Sequence, residues 1–359
     1  MSKRVVINSP DSLLPGGEKK ENIYVFLAGP IQDAPEWQKG MPVIPGITWL
    51  NPRRMVIGRK TFDWNDQVKW ETEALRIADY ILFWIPLPEK GYSSLPEGRD
   101  YAQTTRMELL ENLVRRGGKN IILGIEEGVH AKRYMEYKYK QYACRDVCSS
   151  LSDCIDVLRS MICTRPDKVF FTSDTHFRSS RALEYSRRPF TDTYDMDWTM
   201  IERWNSKVSV GSKVYHLGDF GDYDKLKYLN GRVTLILGNY ERSEKERLGL
   251  DMLDYSNYLK EKGFEDVIFS TSEDKVKCPD LTPVILGHEP LKVLDEINKS
   301  SGEYKYGLFG HIHGRQKVKP FGLDVGVDAN DFAPISRKEA GFYINAIDKG
   351  FYDQEVWCK

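Results

Sequence analysis

Apolar positions in the first half of the chain alternate between short unbroken runs and longer stretches at helical spacing. Runs at 23–28, 79–86 and 120–124 have no polar face and predict buried strands, the first ending in Gly29 and Pro30. Stretches 68–78 and 104–116 repeat apolar residues every three to four positions and predict helices. Strand alternating with helix predicts an α/β domain built as a doubly wound parallel sheet, flavodoxin-like in class. Residues 131–162 read as one or two closing helices. Residues 1–21, polar and broken by Pro10, Pro15, Gly16 and Gly17, read as a loose arm. Beyond a junction at 164–168 the texture changes. Short apolar runs at 169–173, 214–217, 234–237 and 284–286 each end at a glycine, an acid or a histidine. The expected organisation is therefore an arm (1–21), a first α/β domain (22–164) and a second α/β domain (168–359).

Length supports two domains, because 359 residues with 41% apolar content can fill two cores. Charge narrows the partners: 52 Lys and Arg against 53 Asp and Glu leave no global field for nucleic acid or an anionic membrane. With no long apolar segment and no leader-like N-terminus, the expectation is a cytoplasmic protein without a membrane partner. Cys144, Cys148, Cys154 and Cys163 lack paired metal-site spacing and read as reduced thiols.

The chemistry sits at the strand ends of the second half. In order the chain gives Asp174 and His176, then Gly218-Asp219, Gly238-Asn239, Gly287-His288, and Gly310-His311 with His313. Carboxylate, imidazole and amide oxygen are the donor types that hold two divalent first-row ions side by side. Four of the six histidines fall in these motifs, whereas His216 lies on a strand and reads as packed.

The segments Phe171–Phe177, Arg188–Phe190, Trp204-Asn205, Val214–Phe220, Leu229–Gly231 and Gly326–Asp328 resemble the calcineurin-like metallophosphoesterase superfamily, in its small bacterial and phage-type branch. The resemblance implies an α/β metallophosphoesterase sandwich. It implies Asp174, His176 and His313 on one ion, Asn239, His288 and His311 on the other, and Asp219 between them, the ions being manganese, iron or zinc. Where that family has a histidine after the Gly-Asn pair, this chain has Tyr240, a weaker acid at neutral pH. Arg178 replaces a glycine and is expected to meet phosphate, the ordinary alternative being a solvated arginine. Asp328 and Asp331 read as structural.

In the first half, Phe26–Ile31, Asn51–Arg54, Trp70-Glu71, Ala78–Trp84 and Thr105–Glu108 together resemble the nucleoside 2-deoxyribosyltransferase-like family. That resemblance implies cleavage of N-glycosidic bonds, with Glu108 as the nucleophile that attacks the anomeric carbon. A helix N-terminal location would keep it ionised. Gly29, Pro30, Asp79 and Arg106 are the expected substrate contacts, with Asp79 alternatively capping a strand end. Glu108 has its own alternative as a surface acid paired with Arg106 or Arg115. Trp37, Trp49, Trp64, Trp70 and Trp84 read as core more readily than as base-stacking rings.

Together these readings predict a bifunctional nucleotide-processing enzyme acting on a small nucleoside or nucleotide; a homo-oligomer is compatible with it. The competing readings are a phosphoesterase with a non-catalytic nucleotide sensor and a two-metal nuclease. The balanced charge argues against the nuclease.

Overall fold

The computed structural model describes residues 5–14, 22–54, 63–98, 100–163, 169–269 and 284–350. The expected junction at 164–168 and residues 15–21 of the expected arm lie outside them. The chain divides into two compact units, Met1–Arg165 and Pro166–Lys359. Both are mixed α/β with parallel sheets.

In the first unit, strands β1 (Val5–Asn8), β2 (Ile23–Ala28), β3 (Ile47–Asn51), β4 (Tyr80–Ile85) and β5 (Ile121–Ile125) form one sheet in the order β1-β3-β2-β4-β5. Every neighbouring pair is parallel. The strands are mostly apolar because helices cover the sheet; all six residues of β4 are buried. Val5–Asn8 corrects the expectation of a loose arm. Its β-branched Val-Val-Ile run adds an edge strand beside β3, with Val6 opposite Trp49.

Helices α1 (Trp64–Ile77), α2 (Gln103–Arg116), α3 (Arg133–Ala143) and α4 (Leu151–Cys163) complete this unit. Asp63 starts α1 by accepting from the amides of Asn65 and Asp66. Trp70, Ala74 and Ile77 then form its buried stripe. Arg116, at the end of α2, donates to the carbonyls of Ala78 and Leu75 and so ties two helix ends together. On the other sheet face Trp49, Tyr80, Leu82 and Trp84 pack with Cys154 and Leu158 of α4. The chain leaves β2 toward β3, then crosses back to β4, so β2 and β4 are neighbours at the point where winding reverses. Ligands of open α/β sheets settle outside the C-terminal ends of such a pair.

The second unit carries two sheets. The first joins β6 (Val169–Thr172), β7 (Lys213–His216), β8 (Arg232–Ile236), β9 (Asp266–Ile268) and β14 (Ile335–Ser336) in the order β14-β6-β7-β8-β9. The second joins β10 (Val284–Leu286), β11 (Tyr306–Phe309), β12 (Val318–Lys319) and β13 (Gly322–Asp324) in the order β10-β11-β13-β12. Phe171 and Ile236 from one sheet, with Leu217 just past β7, share a core with Leu286, Leu308 and Leu323 from the other. Around them lie α5 (Ser180–Tyr185), α6 (Thr193–Lys207), α7 (Asn239–Leu248), α8 (Met252–Glu261), α9 (Pro290–Lys299) and α10 (Arg337–Asp348). Ala340, Ile344 and Ile347 of α10 join the same core. Strands β6 to β9 run parallel, as do β10 and β11, so within each sheet these strand ends point their following loops the same way.

Among the described residues no helix is long and apolar enough to cross a membrane. Trp49 is fully buried and its indole donates to the Pro42 carbonyl at 3.0 Å. Replacing it by alanine is expected to destabilise the first unit by about 3–5 kcal/mol through the cavity and the orphaned carbonyl. Denaturant-dependent hydrogen exchange of the β2 and β3 amides measures this; an unchanged opening free energy would refute it.

Candidate functional site

Each of the five strands β6, β7, β8, β10 and β11 delivers donors from the loop after its C-terminal end. The structure brings all seven side chains together. Asp174, His176 and His313 offer ligand atoms within 4.8 Å of one another, as do Asp174, Asp219 and His288. Asn239 Oδ1 lies 2.9 Å from His288 Nε2 and 3.0 Å from His311 Nδ1, with the two imidazoles 3.2 Å apart. Asp219 Oδ2 stands between the groups, 3.6 Å from His176 Nε2 and 3.4 Å from His288 Nε2. Ligands about 2.1 Å from a shared ion sit roughly 3.0–3.4 Å apart, so the spacings among Asn239, His288, His311 and Asp219 fit a divalent cation, and those around His176, 3.6 Å to Asp219 and 4.0 Å to Asp174, are wider.

Two further observations separate this cluster from ordinary packing. Both ring nitrogens of His176 and Oδ1 of Asp174 are buried and have no hydrogen-bond partner among the described residues. Buried polar atoms are otherwise nearly always satisfied. In addition Asp174, His176, Asp219, His311 and His313 all hold left-handed backbone, with φ between 47° and 70°. Such residues cost about 1–3 kcal/mol each and concentrate at functional sites. Gly310 has no room for a Cβ, which would lie 2.2 Å from Asp174 Oδ2.

The scaffold behind the donors is polar and well bonded. Glu241 is buried and accepts from the amides of Asp219 (2.8 Å), Phe220 (2.8 Å) and Gly238 (2.9 Å), which locks the β7 and β8 loops to the start of α7. Arg188 grips Asp328 with two bonds of 2.9 and 2.8 Å and also donates to the carbonyls of Asp174 and Thr175. Asp328 Oδ2 in turn lies 2.9 Å from His313 Nδ1, leaving Nε2 toward the cluster. The Leu217 carbonyl does the same for His288 Nδ1 at 2.8 Å. His216 is buried against Thr175 Oγ1 at 2.9 Å, and burial pushes its pKa down to about 3, so it is a neutral packed histidine. Burial likewise lowers His176 to about 4. Burial opposes a charged His288, but its contact with Asp219 raises its pKa and lowers that of the carboxylate.

A cavity of about 330 Å³ opens over the donors, and its walls are Arg181, Tyr185, Tyr240 and Arg315. Tyr240 is 41% exposed and its ring edge meets His176, centroids 4.7 Å apart. Arg178 does not line this cavity. Its side chain is 76% exposed and points to Asp222 at 3.8 Å, so the expected phosphate contact is corrected. The Arg178 amide is held by Asp197 Oδ1 at 2.8 Å, and the cationic wall comes from Arg181 and Arg315 instead. Neither arginine, nor Glu241, carries a motif that marks it in the sequence.

In the first unit, Glu108 lies half-buried on α2, the helix that follows β4. It is the sixth residue of α2, past the first turn where the helix dipole acts, so the expected ionisation is corrected. Burial, then the nearby charges of Glu71 and Glu111, push its carboxyl up to about 8. Arg115 pairs with Glu111 at 3.0 Å rather than with Glu108. Glu71 on α1 is also raised by burial, and accepts from Gln67 Nε2 at 2.6 Å. Gln67 accepts in turn from Arg54 Nε at 2.6 Å and Ser9 Oγ at 2.8 Å. This chain of polar groups links Asn51–Arg54 to α1.

Gly29 sits at the end of β2, where a Cβ would lie 2.3 Å from the Trp84 carbonyl, so its smallness serves the approach of β2 to β4. Pro30 beside it is buried. Asp79 is not at this end of the sheet. It precedes β4, is buried, and accepts from the Tyr24 amide at 2.7 Å, so it closes the N-terminal edge of the strands and is corrected as a substrate contact. Arg106 donates to the His130 carbonyl at 3.5 Å, and its buried Nε has no partner among the described residues. Trp37, Trp49, Trp70 and Trp84 are core; Trp64 is exposed.

Residues 22–123 match the family described as nucleoside 2-deoxyribosyltransferase like. An uncharacterized protein of Methanocaldococcus jannaschii, MJ1445, is 33% identical over 100 residues, covering 25% of this chain and 54% of its own length. The chain thus spans about half of that relative. The crystal structure of a protein of unknown function, AQ665 from Aquifex aeolicus, aligns with 48% of this chain and 96% of its own at 18% identity, with a TM-score of 0.36. The family match supports a nucleoside-related function for the N-terminal region.

Because the folded Glu108 keeps a proton that the unfolded chain releases near 4.5, its contribution to stability falls as pH rises from about 4.5 to about 8 and levels off above. Removing the neighbouring charge with Glu71→Gln is expected to lower the Glu108 midpoint. Carboxyl-carbon NMR titration reads it directly, and an unmoved midpoint would show that Glu71 does not act on Glu108.

Proposed function

We propose that the chain is a bifunctional nucleotide-processing enzyme of the cytoplasm. Its C-terminal unit hydrolyses a phosphoester or phosphoanhydride with two divalent ions, manganese, iron or zinc. Its N-terminal unit cleaves or transfers the N-glycosidic bond of a (deoxy)nucleoside or nucleotide. The observation that carries the phosphoesterase reading is the convergence of seven donors from five strand ends, with His176 and Asp174 Oδ1 left unsatisfied. Asp174, His176 and His313 would hold one ion, Asn239, His288 and His311 the other, with Asp219 shared. Ions so held polarise phosphoryl oxygens and lower the pKa of water. The chain's own part is orientation: the Leu217 carbonyl and Asp328 engage the Nδ1 atoms of His288 and His313, which leaves their Nε2 atoms for the ions.

In the N-terminal unit, Glu108 would attack the anomeric carbon in its ionised form and then be released by water or a second base. Its raised pKa favours a second reading, in which a protonated Glu108 only hydrogen-bonds a bound nucleotide and the unit acts as a sensor. Incubation with deoxynucleotides and manganese, assaying free base and free phosphate separately, decides between them. Asp174→Asn is expected to abolish phosphate release and Glu108→Ala base release, each leaving the other intact. Free base from no nucleotide at any pH up to about 9 would remove the glycosidase activity; phosphate release untouched by Asp174→Asn would remove the metal mechanism.

Asp328→Asn keeps the side chain's shape but weakens its grip on His313 and Arg188. Manganese affinity is expected to fall about 10- to 100-fold, while Asp331→Ala, whose partner is the surface residue Arg203, leaves it unchanged. Calorimetric titration of the metal separates the two; equal affinities would make Asp328 purely structural.

A further inference from the structure

We propose that Arg181 and Arg315 bind a second phosphoryl group, so that the C-terminal unit prefers substrates with two linked phosphates, the phosphoanhydride class, over simple monoesters. This rests on the phosphoesterase reading and names its substrate class. Both arginines line the cavity over the donor cluster. Arg181 is exposed and has no hydrogen bond or ion pair among the described residues. Arg315 donates only to a neutral partner, the Tyr185 hydroxyl at 2.8 Å, with its guanidinium 5.7 Å from that ring's centroid. Arg188, Arg203 and Arg242 of the same unit all face carboxylates.

The two guanidiniums belong to one wall. Arg181 and Tyr185 are four residues apart on α5 and share a face, and Tyr185 holds Arg315. Charge balance then selects the ligand. One phosphoryl group offsets the excess of two divalent ions over the carboxylates of Asp174 and Asp219. The oxygens of Glu241 are occupied by backbone amides and Asp328 is paired with Arg188, so neither carboxylate bonds the arginines of the wall. The arginines therefore remain for a further anion, which guanidinium donors bind through charge-assisted hydrogen bonds. Arg181 and Tyr240 also border an adjoining cavity of about 560 Å³, room for the organic group beyond the second phosphate. A phosphate leaving group needs little help from an acid, which agrees with Tyr240 at the position where the resembled family has histidine.

The test uses the manganese-loaded full chain, free metal removed, titrated calorimetrically with methylenediphosphonate and with methylphosphonate. The diphosphonate is expected to bind about 10- to 100-fold tighter, the value of one or two charge-assisted bonds. Arg181→Ala and Arg315→Ala should each cut that affinity about tenfold or more and change methylphosphonate binding less than about threefold. Arg181→Lys should recover part of the loss. Both side chains are exposed, so the variants keep the fold. Equal affinity for the two phosphonates, or variants that weaken both alike, would overturn the second-phosphate site while leaving the phosphoesterase reading intact. Binding of neither phosphonate to the loaded protein would overturn both.

Discussion

Glu241 accepts three backbone amides from inside the C-terminal unit, and the donor cluster takes its shape from those bonds. The amides belong to Asp219, Phe220 and Gly238, that is, to the loops that present Asp219 and Asn239. Burying a carboxylate is costly, and only several aimed donors make it tolerable. Once satisfied, the group resists displacement, because any movement of either loop would strand a buried charge. A residue outside the donor set can thus hold two donors from separate strands in register.

That rigidity offsets the strain at the donors themselves. Five of the seven sit in left-handed backbone, a conformation L residues avoid. The loops cannot relax it because each is bonded across to its neighbour: Asp174 N to Gly218 O, His176 N to Asp219 O, and Gly310 N to His288 O. Arg188 adds a lateral tie by holding the carbonyls of Asp174 and Thr175 together with Asp328. The cluster is therefore preformed, and what would lower its free energy is a partner for the unsatisfied atoms of His176 and Asp174.

The donors were legible in the sequence because each follows a short apolar strand and most come with a glycine, a pattern local enough to read by eye. Their surroundings were not. Arg315 meets Tyr185 across 130 residues, and Arg181 is one arginine among many until α5 turns it into the cavity. Strands β12, β13 and β14 are two or three residues long and leave no periodicity. Strand β3 is hidden between Pro45-Gly46 and Pro52, and β1 among polar neighbours. Asp79 illustrates a different limit. The resemblance carried by Ala78–Trp84 implies a substrate contact at Asp79, but it precedes β4, and in a parallel sheet the residue before a strand lies at the end remote from the ligand crevice.

Buried carboxylates in both units are raised by burial, Asp324 to about 7 and Glu108 to about 8, but they differ in the donors that meet them, and that difference bears on what Glu108 can do. In the C-terminal unit Glu241 and Asp324 are met by backbone amides, Asp328 by Arg188 and His313, and Asp219 by imidazoles. Glu108 has no such partner among the described residues, and Glu71 and Glu111 add like charge, so its proton stays on to about pH 8. A carboxyl in that state is expensive to ionise alone. It becomes cheap to ionise when positive charge appears beside it, as it does on the sugar ring when a glycosidic bond stretches toward an oxocarbenium-like state. On the proposed glycosidase reading the interaction would then be stronger in the transition state than with the resting substrate, the condition for it to accelerate the reaction rather than only to bind. The same burial that suppresses Glu108 in the free protein would in this way concentrate its effect on the step of bond cleavage.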